Sequence, residues 1–117
     1  IQQASLEAMR CSVVRLVPLP DMVLVDAFRI PGILMAQQGI VHGDQKCSVI
    51  AAASIIAKVT RDREMLRHHI VDPRYGYDRH KGYATAQHLK ALSRFGYSSL
   101  HRKSFRPRSL LDLLNKD

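Results

Sequence analysis

Two carboxylates, Asp26 and Asp44, lie eighteen residues apart in settings that would aim both at one place. Asp26 ends the apolar run Met22-Val-Leu-Val, where a buried strand delivers a side chain to the edge of its sheet. Asp44 follows Gly43 and precedes a stretch rich in small residues, Ala51, Ala52, Ala53 and Ala57, that reads as a helix. Hard divalent cations take oxygen ligands, and carboxylates presented by different elements are the protein contribution such ions require. On spacing alone each acid is explained as well or better locally. Asp26 would close a turn at a strand end, and Asp44 would satisfy orphan amides at a helix start.

The elements that must position these acids follow from periodicity and punctuation. Leu6, Met9, Val13 and Leu16 recur at helical spacing across residues 2–17, and Pro18 and Pro20 stop that helix. Val23, Leu24 and Val25 form a continuous apolar run expected of a strand covered on both faces, and Pro31-Gly32 marks a turn. Ile40-Val41 is a candidate second strand ending near Asp44. Ser48 is a candidate N-cap for a long helix reaching about His69, with alanines that permit close packing on a sheet. Asp72-Pro73 breaks it, and the segment to Tyr83 reads as loop. Thr85 caps a shorter helix carrying Leu89, Leu92 and Phe95, and Gly96 closes it. Residues 97–107 read as irregular, and Leu110, Leu111, Leu113 and Leu114 as a short terminal helix. Alternating helix and strand indicate an α/β architecture.

Charge is distributed unevenly along the 117 residues. Residues 1–57 hold four basic and four acidic side chains, whereas residues 58–108 hold thirteen basic against four acidic. A concentrated positive face suits phosphate partners through counterion release, although a solvated basic surface explains it equally well. Five of the six histidines lie in this second part, so mild acid would add to its attraction for a polyanion. Cys11 and Cys47 are too few and too isolated for a zinc site, and read as free thiols. Ser48, Ser54 and Thr60 lack an interpretable histidine and acid arrangement, which disfavours a covalent nucleophile. No apolar run approaches the length of a membrane span.

Four separated stretches together resemble bacterial ribonuclease HII over residues 1–107. They are Met22 to Asp26, Gly43-Asp44 with the helix from Ile50 to Asp62, His80-Lys81-Gly82-Tyr83, and His101-Arg102-Lys103-Ser104-Phe105. The resemblance implies a ribonuclease H-like fold with a central mixed sheet and flanking helices, residues 1–107 being part of the catalytic domain and 108–117 a helical tail. It also implies an endonuclease that cuts the RNA strand of RNA–DNA hybrids and cuts 5′ of ribonucleotides embedded in duplex DNA. Two Mg²⁺ or Mn²⁺ ions about 3.5–4 Å apart would serve the hydrolysis, with Asp26 and Asp44 as catalytic metal ligands and no small-molecule cofactor. Tyr83 matches the tyrosine that stacks on the sugar near the discriminating 2′-hydroxyl, though on composition alone a packed core tyrosine is the better reading. Lys81, Arg102 and Lys103 would meet backbone phosphates, and His80 would lie near substrate.

The family places two further acids in an Asp-Glu-Ala-Gly-Arg-Gly motif, and this sequence contains no Asp-Glu dipeptide. The resemblance therefore implies the C-terminal part of a longer cytoplasmic enzyme, with N-terminal strands absent and the chain inactive alone. Two positions depart from the family pattern. Ala27 follows Asp26 where glycine is common, and His42 precedes Gly43 where lysine is common. Asp62, set between Arg61 and Arg63, reads as a structural ion-pair residue, and Glu64 as a surface residue. From a different class, a non-catalytic basic module that binds nucleic acid through phosphate contacts would account for the charge with no further motif.

Overall fold

A computed structural model of the chain describes residues 2–102 and 104. Lys103 and the expected helical tail at 108–117 lie outside the described residues. The chain divides into two compact units, Ile1–Ala57 and Lys58–Asp117.

The first unit opens with helix α1, Gln2–Val14, on which Arg10 pairs with Glu7 one turn away at 2.6 Å. That helix ends before the expected 17, because a residue preceding proline, here Val17, is driven out of helical geometry. Strand β1, Met22–Asp26, then pairs in parallel with β2, Ala36–Ile40, in the register Met22 with Ala36 through Asp26 with Ile40. β2 begins four residues before the expected Ile40, since Ala-Gln-Gln-Gly carries no apolar alternation. Its placement comes from other contacts. Gln37 grips the backbone of Ile30, accepting from its N–H at 2.7 Å and donating to its carbonyl at 2.8 Å. Gly39 lets the chain after β1 pass close by, since a Cβ there would stand 2.8 Å from the Phe28 carbonyl oxygen.

A short helix α2, Gly43–Lys46, precedes the long α3, Ser48–Val71, and the division between the two units falls within α3. Ile50 is the buried residue of α3 among the described ones. The alanine-rich face does not pack on a sheet as expected. Ala52, Ala53 and Ala57 are exposed, as are Ile55 and Ile56. Two strands offer too little surface to cover it. β1 is likewise only partly covered, with Val25 buried and Val23 and Leu24 half-buried.

In the second unit the stretch expected as loop is largely turned. Asp72 accepts from the Arg74 N–H at 3.3 Å and pairs with its guanidinium at 2.7 Å, starting a 3-10 turn at Pro73–Tyr75. Helix α4, Tyr77–His80, follows, then α5, Ala86–Phe95. Thr85 caps α5 through Oγ1, which accepts from the His88 N–H, and Gly96 closes it at φ +72°. Tyr75, Tyr77, Leu89 and Leu92 form the core, with Met65 and Ala91 packed against it. The Tyr75 and Tyr77 rings stack at 5.6 Å, and the Tyr75 hydroxyl donates to the Gly96 carbonyl at 3.0 Å. Both tyrosines thus serve packing.

Candidate functional site

Parallel pairing sends the C-terminal ends of β1 and β2 the same way, so that Asp26 and the turn leading to Asp44 emerge at one sheet edge. The two segments are joined directly. The Gly43 N–H donates to Asp26 Oδ1 at 3.0 Å, a bond spanning 17 residues. Gly43 is buried, and a Cβ there would meet Ile50 Cδ1 at 2.7 Å and Asp26 Cα at 3.4 Å. Only glycine therefore lets the start of α2 sit against the end of β1 without displacing Ile50. Both carboxylate residues are exposed.

The backbone around these acids is strained at the two positions that depart from the family pattern. Ala27 has φ +66°, and the Phe28 N–H bonds the Asp26 carbonyl at 2.9 Å, making a tight three-residue turn. His42 has φ +57° and makes no side-chain cap for α2. A left-handed conformation suits glycine and costs other residues roughly 1–2 kcal/mol. A glycine preference after Asp26 therefore has a plain steric cause, and Ala27 bears the strain.

Mg²⁺ or Mn²⁺ would be held by hard oxygen donors, and Asp26 and Asp44 are of the right kind. One oxygen of Asp26 accepts from the Gly43 N–H, which orients the carboxylate. Among the described residues no group of three or more His, Cys, Asp or Glu side chains is assembled for a metal ion. Asp62 pairs with Lys58 at 2.5 Å rather than with its arginine neighbours, and this hydrogen-bonded pair raises the Lys58 pKa. Glu64 pairs on the surface with Arg67 at 2.9 Å.

In the second unit Tyr83 is 55% exposed, which rules out the core reading of its side chain. The Arg61 guanidinium lies over its ring, 4.6 Å from the centroid. Tyr83 and Arg102 line the same cavity of about 610 Å³, whose lining also includes Met65, Leu89 and Leu92. Lys81 turns its ammonium back onto the Asp78 carbonyl, and its own backbone is left-handed at φ +50°. His80 is buried, with Nε2 against the Tyr75 carbonyl at 2.7 Å and Nδ1 accepting from the Gly82 N–H at 3.2 Å. Its place is beneath the turn that presents Tyr83.

Sequence reasoning gave no role to Arg61, His88 or His101. His88 is buried and stacks on His80 at 4.4 Å, and its Nε2 lies 3.0 Å from that of His101. Burial lowers the pKa of both His88 and His101 and raises that of the Tyr77 hydroxyl. That five of the six histidines lie in the second part was visible in the sequence. Their geometry was not, because the contacts join residues distant in sequence.

Comparison with known proteins agrees with the motif reading. The family model described as ribonuclease HII matches residues 1–107. A ribonuclease HII of Coxiella burnetii is 50% identical over 107 residues, which cover 92% of this chain and 53% of that protein. One from Pelotomaculum thermopropionicum is 49% identical, with 92% and 40% covered, and one from Idiomarina loihiensis is 48% identical, with 89% and 56% covered. The chain spans about half the length of the curated relatives it matches. With nine-tenths of its length inside that match, the chain belongs to the ribonuclease HII family.

Proposed function

We propose that this chain forms part of a ribonuclease that hydrolyses the RNA strand of RNA–DNA hybrids and cuts 5′ of single ribonucleotides in duplex DNA. The observation that carries the reading is the Gly43–Asp26 hydrogen bond, which ties the segments bearing Asp26 and Asp44 to one edge of the sheet. Asp26 and Asp44 would hold Mg²⁺ or Mn²⁺ with further carboxylates of the family pattern. The chemistry supplied by such ions is activation of a water and neutralisation of charge on the phosphate oxygens.

The chain's own residues bind and orient. Tyr83 offers an exposed ring for stacking on a sugar at the DNA–RNA junction, held against Arg61. Arg102, and Lys81 once released from the Asp78 carbonyl, would meet phosphates, with Lys103 beside Arg102 in sequence. His80 shapes the turn from within. A ribonuclease H-like fold with a central mixed sheet is supported by the uncovered apolar residues of α3 and β1, which such a sheet would bury. Residues 1–107 then belong to one catalytic domain with 108–117 as a tail, and the cytoplasm is the compartment that suits two free thiols and this substrate.

A second reading is a non-catalytic binding module, favoured by the absence of a three-acid cluster among the described residues. One experiment separates the two. The chain is joined to the part of the Coxiella burnetii relative that the match leaves uncovered, and the product is offered a duplex carrying one ribonucleotide. Cleavage at the ribonucleotide with Mg²⁺ or Mn²⁺ and none with chelator is expected. Tight binding without cleavage, by a folded chimera, supports the module instead.

A further inference from the structure

Tyr83 is anchored through its backbone. Its N–H donates to the His80 carbonyl at 2.8 Å, and its own carbonyl accepts from the Thr85 N–H at 2.8 Å and from His88 Nδ1 at 2.9 Å. A carbonyl can only accept, so His88 must carry its proton on Nδ1, which leaves Nε2 as an acceptor in the neutral ring. Beyond it, His101 Nε2 lies 3.0 Å from His88 Nε2, while His101 Nδ1 accepts from the Ser98 N–H at 3.0 Å. The backbone N–H can only donate. His101 must therefore hold its proton on Nε2, aimed at His88, and one tautomer at each ring satisfies the whole run from Ser98 to Tyr83.

Resting on the reading of Tyr83 as a substrate contact, we infer that His88 and His101 are positioning residues that hold the Tyr83 turn competent for nucleic acid only while both rings are neutral, so that acid weakens binding. A second proton on His88 would set its Nε2–H against that of His101, and one on His101 would turn Nδ1 from acceptor to donor, taking it from the Ser98 N–H toward the Ser98 hydroxyl at 2.7 Å. Each event breaks one bond of the run that the neutral tautomers satisfy. The surroundings add positive charge rather than offset it: Arg61, His68 and Arg102 line the same cavity, the Tyr77 hydroxyl lies 3.3 Å from His101 Nε2, the Tyr97 ring meets His101 at 5.7 Å, His80 stacks on His88, and no carboxylate lines the cavity among the described residues.

Burial lowers both pKa values below the ordinary 6.5, so the folded chain binds fewer protons than the unfolded one in this window. The stability that the neutral pair contributes is complete above 6.5 and is lost as pH falls from there through the lowered values of the folded state. The sign is diagnostic. A merely basic surface gains positive charge on acidification and binds a polyanion more tightly.

Two measurements on the full 117-residue chain test the inference. Nitrogen-15 NMR of the imidazoles is expected to show His88 protonated on Nδ1 and His101 on Nε2 at neutral pH, with the Tyr83 amide signal moving at the same midpoint on acidification. Fluorescence anisotropy with an RNA–DNA hybrid, on samples verified as folded by circular dichroism, is expected to show affinity falling at least about fivefold between pH ~7.5 and ~5.5, the lower bound for losing one stacking contact. His88→Phe removes the donor and should bind weakly at both pH values. His88→Asn keeps an amide donor at the Nδ1 position and should restore affinity without the acid loss. Tyr83→Ala separates the two readings. Wild-type affinity in that variant would overturn the substrate role of Tyr83 and this inference together. If Tyr83→Ala binds weakly, wild-type affinity that rises in acid, or a His88 proton found on Nε2, would overturn the histidine relay alone.

Discussion

The two units of this chain position their functional side chains by opposite means. In Ile1–Ala57, Asp26 and Asp44 are exposed and are set by backbone: a turn strained at Ala27, a left-handed His42, and two glycines that permit close passage. In the unit beginning at Lys58, the backbone of Tyr83 rests on side chains as well, the buried Tyr75, Tyr77, His80 and His88 with the half-buried His101. Carboxylates proposed to take up a cation have to stay free of competing side chains, and here the main chain does the placing. A stacking ring needs only one free face, and the rest of its surroundings can be packed. The division at Ala57 also coincides with the change from balanced to strongly basic sequence.

The contrast can be broken from either side. Gly39→Ala acts on the first unit, where the new methyl would meet the Phe28 carbonyl carbon and oxygen, backbone atoms that cannot swing aside as a side chain can. Overpacking of this kind typically costs about 1–3 kcal/mol, and the upper part of that range is expected in urea denaturation. A loss below about 0.5 kcal/mol would show that the chain after β1 is not held there.

Tyr83→Ala acts on the second unit and should separate recognition from folding. Hybrid binding should weaken by about 1–2 kcal/mol while the melting temperature changes little, because the ring is more than half exposed. A large fall in melting temperature with unchanged binding would return Tyr83 to a structural role.

The smallest expected effect sharpens the comparison in the first unit. Ala27→Gly relieves a φ of +66° at the cost of a more flexible unfolded chain, so a net gain of about 0.5–1 kcal/mol is expected from the same denaturation experiment. A loss of stability would mean that the turn after Asp26 is not strained.

Legibility in the sequence followed the same division. β1, α3 and α5 were readable because apolar runs, Asp72-Pro73, Thr85 and Gly96 are local signals; the caps of α5 fall where expected, whereas Ser48, expected to cap α3, is its first helical residue. β2 was readable only at its end, since its pairing rests on main-chain bonds and on Gln37 reaching back to Ile30. The bond joining Asp26 to Gly43 spans 17 residues, and that joining His88 to His101 spans 13. No window of periodicity contains such contacts. The acids and Tyr83 were singled out through family motifs alone, while the histidine network beneath Tyr83 had no local signature.

The division of labour between the units is tested most directly by single-turnover cleavage in the chimera with the Coxiella burnetii relative, comparing wild type with Asp44→Asn while hybrid affinity is measured on the same protein. Losing a carboxylate that helps hold the cation should remove several kcal/mol of transition-state stabilisation. The account predicts a cleavage rate lower by on the order of 10³-fold, with affinity unchanged within about threefold. A folded Asp44→Asn chimera that cleaves at a near-normal rate would contradict it.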